Sequence, residues 1–197
     1  MIKIGVLELQ GNFESHHKIL KKLGYDSIGV KGSSDLECLD GLVLPGGEST
    51  TMSLLIDSFN LRESLLDFSK NKPILGTCAG LILMAKNIEN ESKVNPLGIL
   101  DITVDRNAYG RQIMSKKEHI KMKFDSKVVD FEVTLIRAPK VIEIGDETQV
   151  LLDINGSPIA IYNGMHMGLS FHPELNGVTL FHDSLFRGSV NSNFQAL

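Results

Sequence analysis

The first half of the chain alternates between two periods of apolar patterning, and this constrains the fold more than any other feature. IKIGVLEL (Ile2–Leu9), DSIGV (Asp26–Val30), DGLVLPGG (Asp40–Gly47) and PILGT (Pro73–Thr77) are short, almost continuous apolar runs, the pattern of strands buried on both faces. Between the first two, NFESHHKILKKLG carries Phe13, His16 or His17, Ile19, Leu20 and Leu23 near helical spacing, with Asn12 as candidate N-cap and Gly24 as candidate stop. SDLECL reads as a short helical turn, and ESTTMSLLIDSF and LRESLLDFSKN read as two further helices. Strands separated by helices need crossover connections, and crossovers build a parallel sheet covered on both faces.

Beyond about residue 98 the pattern changes to short β-type runs: GILDITVD, EHIKMKF, VVDFEVTLIRAP, VIEIG, QVLLDI, PIAIYN and MGLSF. These predict antiparallel additions to the same sheet, followed by a closing helix from Val178 to about Arg187. The expected architecture is a three-layer α/β/α fold with a mixed, mostly parallel central sheet, and one domain spanning residues 1–197. A chain of 197 residues can bury roughly 70% of its unfolded surface, so no disulfide or metal staple is needed and none is expected. A net charge of -4 with both signs dispersed excludes a nucleic-acid footprint or a polybasic membrane patch. No apolar run approaches the roughly 18 residues of a membrane span, and MIKIGVLELQG reads as a first strand rather than a signal peptide. Cys38 and Cys78, the only cysteines, are too few for a disulfide framework and point to a reducing compartment, the cytoplasm.

In open α/β sheets ligands bind at the carboxyl ends of the parallel strands. Gln10-Gly11, Pro45-Gly46-Gly47 and Gly76-Thr77-Cys78 all follow predicted strands and are expected on one rim. GTCAG, residues 76–80, has the form G-x-C-x-G, a cysteine version of the nucleophile elbow. Its glycines permit a sharp strand-to-helix turn, and the N–H groups of the helix starting at Ala79 favour a thiolate and can hold an oxyanion beside it. The motif alone is equally compatible with a small buried thiol. Cys38, in SDLECLDG, has neither glycines nor a strand end and reads as ordinary structure.

A nucleophilic cysteine needs a base, and the base an orienting group. His16, His17, His119, His166 and His182 read as packing or solvated residues. His172 follows the apolar run MGLSF and begins His-Pro-Glu. On an extended backbone residues two apart share a side, so Glu174 can hold one imidazole nitrogen while the other faces Cys78. In LPGGEST, Gly46-Gly47 exposes backbone N–H groups suited to an oxyanion or a substrate carboxylate at a helix N-terminus, with Ser49 as candidate N-cap. No Gly-Lys-Ser/Thr follows, which removes a nucleotide-binding loop from consideration.

With these pieces placed, the sequence resembles the class I (triad) glutamine amidotransferases, and within them the vitamin B6 branch, the glutaminase subunits of pyridoxal 5′-phosphate synthase. IGVLELQGN, DGLVLPGGESTTM, PILGTCAGLILMAK, RNAYGRQ, IRAP and SFHPEL carry the resemblance in that order, almost end to end. It implies a flavodoxin-like core and hydrolysis of L-glutamine to L-glutamate and ammonia through a cysteine thioester, with Cys78, His172 and Glu174 as triad. It also implies an oxyanion hole of the Gly47 and Ala79 backbone and a glutamine site of Gly47, Glu48, Ser49, Arg106, Ile136 and Arg137. The implied partner is a separate (β/α)8-barrel synthase subunit in a large hetero-oligomer, which receives the ammonia; Gln10 and Gly11 are placed for that contact. No cofactor is implied. The chain departs from the family pattern at Ser115-Lys116-Lys117, where Ser-Phe-Glu is usual, and at Glu8, where a small residue is usual.

Two other readings keep the same elbow. An intracellular peptidase relative would carry histidine directly after the cysteine, where this chain has Ala79. A catalytically idle regulatory subunit would not need Cys78, His172 and Glu174 together.

Overall fold

The computed structural model describes residues 1–90, 93–106 and 116–195. In chain order the elements are β1 (Lys3–Leu7), α1 (Phe13–Lys22), β2 (Asp26–Val30), β3 (Gly41–Leu44), α2 (Ser49–Ser58), α3 (Arg62–Ser69), β4 (Ile74–Thr77) and α4 (Ala79–Met84). There follow β5 (Ala85–Ile88), β6 (Leu100–Asp105), β7 (Lys116–Phe124), β8 (Lys127–Leu135), β9 (Lys140–Ile144), β10 (Gln149–Ile154), β11 (Ser157–Tyr162), β12 (Met167–Leu169), α5 (Leu180–Phe186), α6 (Val190–Asn193) and β13 (Phe194–Gln195). Short 3₁₀ turns occupy Ser33–Leu36 and Pro173–Asn176.

The central sheet has seven strands in the order β10-β11-β12-β4-β3-β1-β2. Its middle is parallel, from β2 through β1, β3 and β4 to β12, while β11 pairs antiparallel with both β12 and β10. Side-chain alternation splits the core across this sheet. Leu7, Leu42, Leu44 and Ile74 pack with Met52, Ile56 and Leu65 of α2 and α3 on one face. Ile4, Val6, Val43 and Leu75 pack with Leu20 of α1 and Phe181 and Leu185 of α5 on the other. Alternate residues of one short strand thus feed opposite layers, and the runs read as continuously apolar for that reason.

The expectation that all later strands extend this sheet is corrected. Only β10, β11 and β12 join it; β5-β6-β9 and β13-β7-β8 form two separate three-stranded sheets. The first supplies Leu100, Ile102, Val104 and Val141 to the α2 side, and the second supplies Ile120, Met122 and Val133 to the α1 side. The exposed edge of β4 is taken by β12, so β5 to β9 pair outside the central sheet. The helix expected from Ala79 is also short. The chain leaves α4 at Met84 and continues as β5, because β6 offers a parallel partner whose pairing overrides helix propensity.

Candidate active site

Four neighbouring parallel strands, β12, β4, β3 and β1, deliver their carboxyl ends to one rim, as expected of such a sheet. Beyond Thr77 of β4 comes Cys78, with φ 50° and ψ -102°. This is a conformation that non-glycine residues avoid and that strained functional turns retain. The surrounding glycines make it possible: a Cβ on Gly80 would meet the Leu44 carbonyl, and one on Gly76 would meet the Gly80 backbone. The Cys78 N–H donates to the Leu169 carbonyl at 2.8 Å, tying the elbow to β12. Cys78 is 8% exposed, and its sulfur lies 3.8 Å from the Ile136 carbonyl oxygen.

His172 approaches from the end of β12. The route differs from the one expected: β12 ends at Leu169, and His172 is the N-cap of the 3₁₀ turn Pro173–Asn176, with Pro173 in its first position. His172 and Glu174 therefore meet across a turn rather than along an extended strand. The meeting itself is close, with His172 Nδ1 2.6 Å from Glu174 Oε1. The His172 N–H donates to the Thr134 carbonyl at 3.0 Å, which anchors the turn to β8. The imidazole and the Cys78 side chain share the wall of one cleft and interact electrostatically. Burial alone would lower the His172 pKa, but the hydrogen bonds and charges of Cys78 and Glu174 outweigh it and raise it to about 10. At neutral pH the ring is therefore an imidazolium, held against Glu174.

Gly46 borders the same ring, since a Cβ there would collide with His172 Cε1 and come within 3.0 Å of Nδ1. Its carbonyl accepts from the Asn12 N–H at 2.9 Å. The next residues correct one expectation. The N-cap of α2 is Glu48 rather than Ser49, and its carboxylate accepts from the Thr50 N–H at 3.2 Å and the Thr51 N–H at 2.6 Å. These donors are therefore occupied by the protein's own anion, and the Glu48 N–H is taken by Gln10 Oε1 at 2.8 Å. Burial is the largest single effect and raises the Glu48 pKa, but the Thr51 and Thr50 donors together outweigh it and bring it to about 2. Its Oε1 also receives Arg106 Nη2 at 2.6 Å. What looked like a free anion site at a helix end is a carboxylate that anchors an arginine.

A cleft of about 510 Å³ joins these groups. Gly47, Glu48, Ser49, Cys78, Ala79, Arg106, Ile136, Arg137 and His172 all line it, together with Gln10, Gly11, Gly46, Ile82 and Leu175. Glu174 sits behind His172 and does not line it. Arg137 has φ 43°, a strained turn beside the Ile136 carbonyl that faces the sulfur. Asn107 to Gln112 of RNAYGRQ and Ser115 lie outside the described residues. Lys116 pairs with Glu118, and Lys117 Nζ lies 2.8 Å from Glu132 Oε1, so both lysines engage the β7–β8 hairpin. Glu8 pairs with His17 Nε2 at 2.9 Å and Lys31 at 3.1 Å. Among the described residues no His/Cys/Asp/Glu cluster suits a metal ion, and no helix is long and apolar enough to cross a membrane.

Sequence reasoning treated His16 and His182 as packing residues. Both are completely buried and hydrogen-bonded to each other at 2.9 Å, directly behind Glu174. The available signal was His16 falling on the apolar stripe of α1, a costly place for a polar ring without partners.

Comparison with known proteins places this architecture in a class. A solved structure described as a glutamine amidotransferase matches with a TM-score of 0.86 at 34% identity, over 95% of this chain and 98% of that one. PurLQS from Thermotoga maritima shares the fold, with a TM-score of 0.65 at 16% identity over 97% of this chain and 98% of that one. The fold is that of the class I glutamine amidotransferases. Within that class the chain belongs to the SNO glutamine amidotransferase family, which matches residues 6–191. Similar proteins include the pyridoxal 5′-phosphate synthase subunit PdxT of Oenococcus oeni, 48% identical over 92% of this chain and 94% of that protein. Those of Geobacillus thermodenitrificans (47%, covering 88% of each chain) and Thermotoga petrophila (41%, covering 92% and 96%) are similar as well.

Proposed function

We propose that residues 1–197 act as one glutaminase domain that hydrolyses L-glutamine to L-glutamate and ammonia and supplies the ammonia to a pyridoxal 5′-phosphate synthase, for vitamin B6 synthesis in the cytoplasm. The observation that carries this reading is the His172 imidazole, bonded to buried Glu174, facing the same cleft as Cys78, Gly47 and Ala79.

The chemistry follows from that arrangement. Cys78 reacts as its thiolate, attacking the side-chain carbonyl carbon of glutamine. The oxygen becomes an oxyanion, held by the N–H groups of Gly47 and Ala79; such a donor is worth about 10²–10³ in rate. The tetrahedral species collapses as His172 gives its proton to the amide nitrogen, and ammonia leaves. Neutral His172 then takes a proton from water, whose oxygen attacks the thioester carbon. Collapse of this second adduct releases glutamate and returns thiolate and imidazolium. Glu174 keeps the ring oriented and compensates its charge throughout.

Arg106 suits the glutamine α-carboxylate, which it can clamp with guanidinium N–H groups not used by Glu48. Glu48 serves this site by holding Arg106, with Ser49, Ile136 and Arg137 forming the adjoining walls. The ammonia acceptor is a (β/α)8-barrel subunit assembled with this chain in a large hetero-oligomer, docking at the rim that carries Gln10 and Gly11.

The test is Cys78→Ala assayed with the synthase partner. Glutamate release is expected to vanish, while pyridoxal phosphate formation from added ammonia continues. Undiminished glutamate release by this variant would overturn the assignment.

A further inference from the structure

Behind the site lies a second tier of polar side chains that the mechanism above does not use. Glu174 commits Oε1 to His172, but its Oε2 is buried with no hydrogen-bond partner among the described residues. A buried carboxylate oxygen without a donor is costly. His16 Nε2 lies 3.7 Å from it, just beyond hydrogen-bond distance, both side chains being fully buried. The same nitrogen lies 3.3 Å from Thr77 Oγ1, on the residue preceding Cys78. His16 Nδ1 meets His182 Nε2 at 2.9 Å, and His182 Nδ1 is buried without a partner. Residues from α1, β4, α5 and the Pro173–Asn176 turn thus converge behind the triad.

Resting on the glutaminase reading, we infer that His16 is a positioning residue: with His182 setting its tautomer, it turns an Nε2–H toward the free oxygen of Glu174 and braces the triad from behind. Burial drives His182 down to about 3 and holds His16 well below its usual value, with the neighbouring histidines adding to the effect. Both rings are therefore neutral, and one proton bridges the pair. If His16 Nδ1 carried it, the His16 Nε2 lone pair would face a carboxylate oxygen, and the N–H of His182 would be an orphaned buried donor. If His182 Nε2–H donates to His16 Nδ1, His16 presents Nε2–H to Thr77 Oγ1 and Glu174 Oε2, and only a bare acceptor on His182 is left unpaired. Orphaned donors are the rarer and costlier defect, so the second arrangement prevails.

Neutrality suits the role. A cation at residue 16 would compete with His172 for the charge of Glu174. A neutral N–H dipole steadies the carboxylate while leaving that charge to the imidazolium. Because His16 also touches Thr77, it fixes the turn that carries Glu174 relative to the strand that carries Cys78.

Two measurements test this. In the wild-type protein, imidazole ¹⁵N shifts at neutral pH should show His16 uncharged, with Nε2 protonated and Nδ1 bare; a charged ring or an Nδ1–H tautomer would overturn the inference. In the complex with the synthase partner, His16→Leu should lower kcat for glutamine by about tenfold or more, the scale of a hydrogen bond to a charged group, with KM unchanged. His16→Gln can donate to Glu174 and accept from His182, and should recover most of the loss. Equal losses in the two variants would point to packing and refute the positioning role. So would wild-type kcat in His16→Leu when Cys78→Ala is inactive; an active Cys78→Ala would instead refute the glutaminase reading. Should His16→Leu not fold, the ¹⁵N measurement and His16→Gln decide the matter.

Discussion

Gly46→Ala is the smallest change that should disable this site. A methyl group at residue 46 would land on His172 Cε1 and within 3.0 Å of Nδ1 and 3.2 Å of Nε2. Restoring ordinary carbon–carbon contact, at about 3.5–4.0 Å, requires a displacement of roughly 1.5 Å. The loop cannot readily supply it, since the Gly46 carbonyl accepts from the Asn12 N–H and the next peptide's N–H, that of Glu48, donates to Gln10 Oε1. The ring must therefore move, and its other side is held by Glu174 at 2.6 Å. Either that bond lengthens or the imidazole leaves the Cys78 sulfur. A misplacement of this size costs about 10²-fold in rate, and overpacking costs about 1–3 kcal/mol of stability. Glutamate release in the presence of the synthase partner is the assay, with glutamine KM measured alongside. kcat should fall by roughly two orders of magnitude while ammonia-dependent synthesis continues. A folded Gly46→Ala protein with wild-type kcat would show that the ring position does not matter, and would refute the reasoning.

Acid sensitivity should be unusual for a chain with a net charge of only -4. His182 and His166 are held at about 3 and about 4 by burial, so below their unfolded value near 6.5 the unfolded state binds more protons and stability falls with pH. From pH 6.5 to pH 5 each contributes a loss of roughly 1.5 kcal/mol. His172 is raised instead; its contribution is complete below pH 6.5 and is lost as pH rises toward 10. Urea unfolding as a function of pH measures both limbs, and a flat profile between pH 5 and 6.5 would contradict the first. Glu48→Ala removes the α2 N-cap and the anchor of Arg106. It should cost about 1 kcal/mol in denaturant unfolding and raise glutamine KM more than it lowers kcat. An unchanged KM would separate Arg106 from substrate binding.

The parallel core was legible because strands buried on both faces have to be apolar throughout, and IKIGVLEL, DGLVLPGG and PILGT are. The rim position of Cys78 was legible for a related reason: a strand-to-helix elbow leaves so little room that only glycine fits at residues 76 and 80. The two small sheets were not legible, because strand pairing depends on which edge remains open once β12 has joined β4. Nor was the cap of α2. In sequence Ser49 is the favoured cap, and the position went instead to Glu48, whose carboxylate also receives Arg106, 58 residues away.

By itself the sequence determined the layer order of the core, the elbow, and the neighbourhood of His172 and Glu174, since these are set by short-range periodicity and by residues with few conformational options. Tertiary structure alone decided the rest. It made Glu48 an anchor rather than a free group, seated His172 on a turn against Gly46, and brought His16 and His182, 166 residues apart, into contact behind Glu174. Such contacts arise from the packing of α1 against α5 and the Pro173–Asn176 turn, and no local pattern encodes which buried polar groups will meet there.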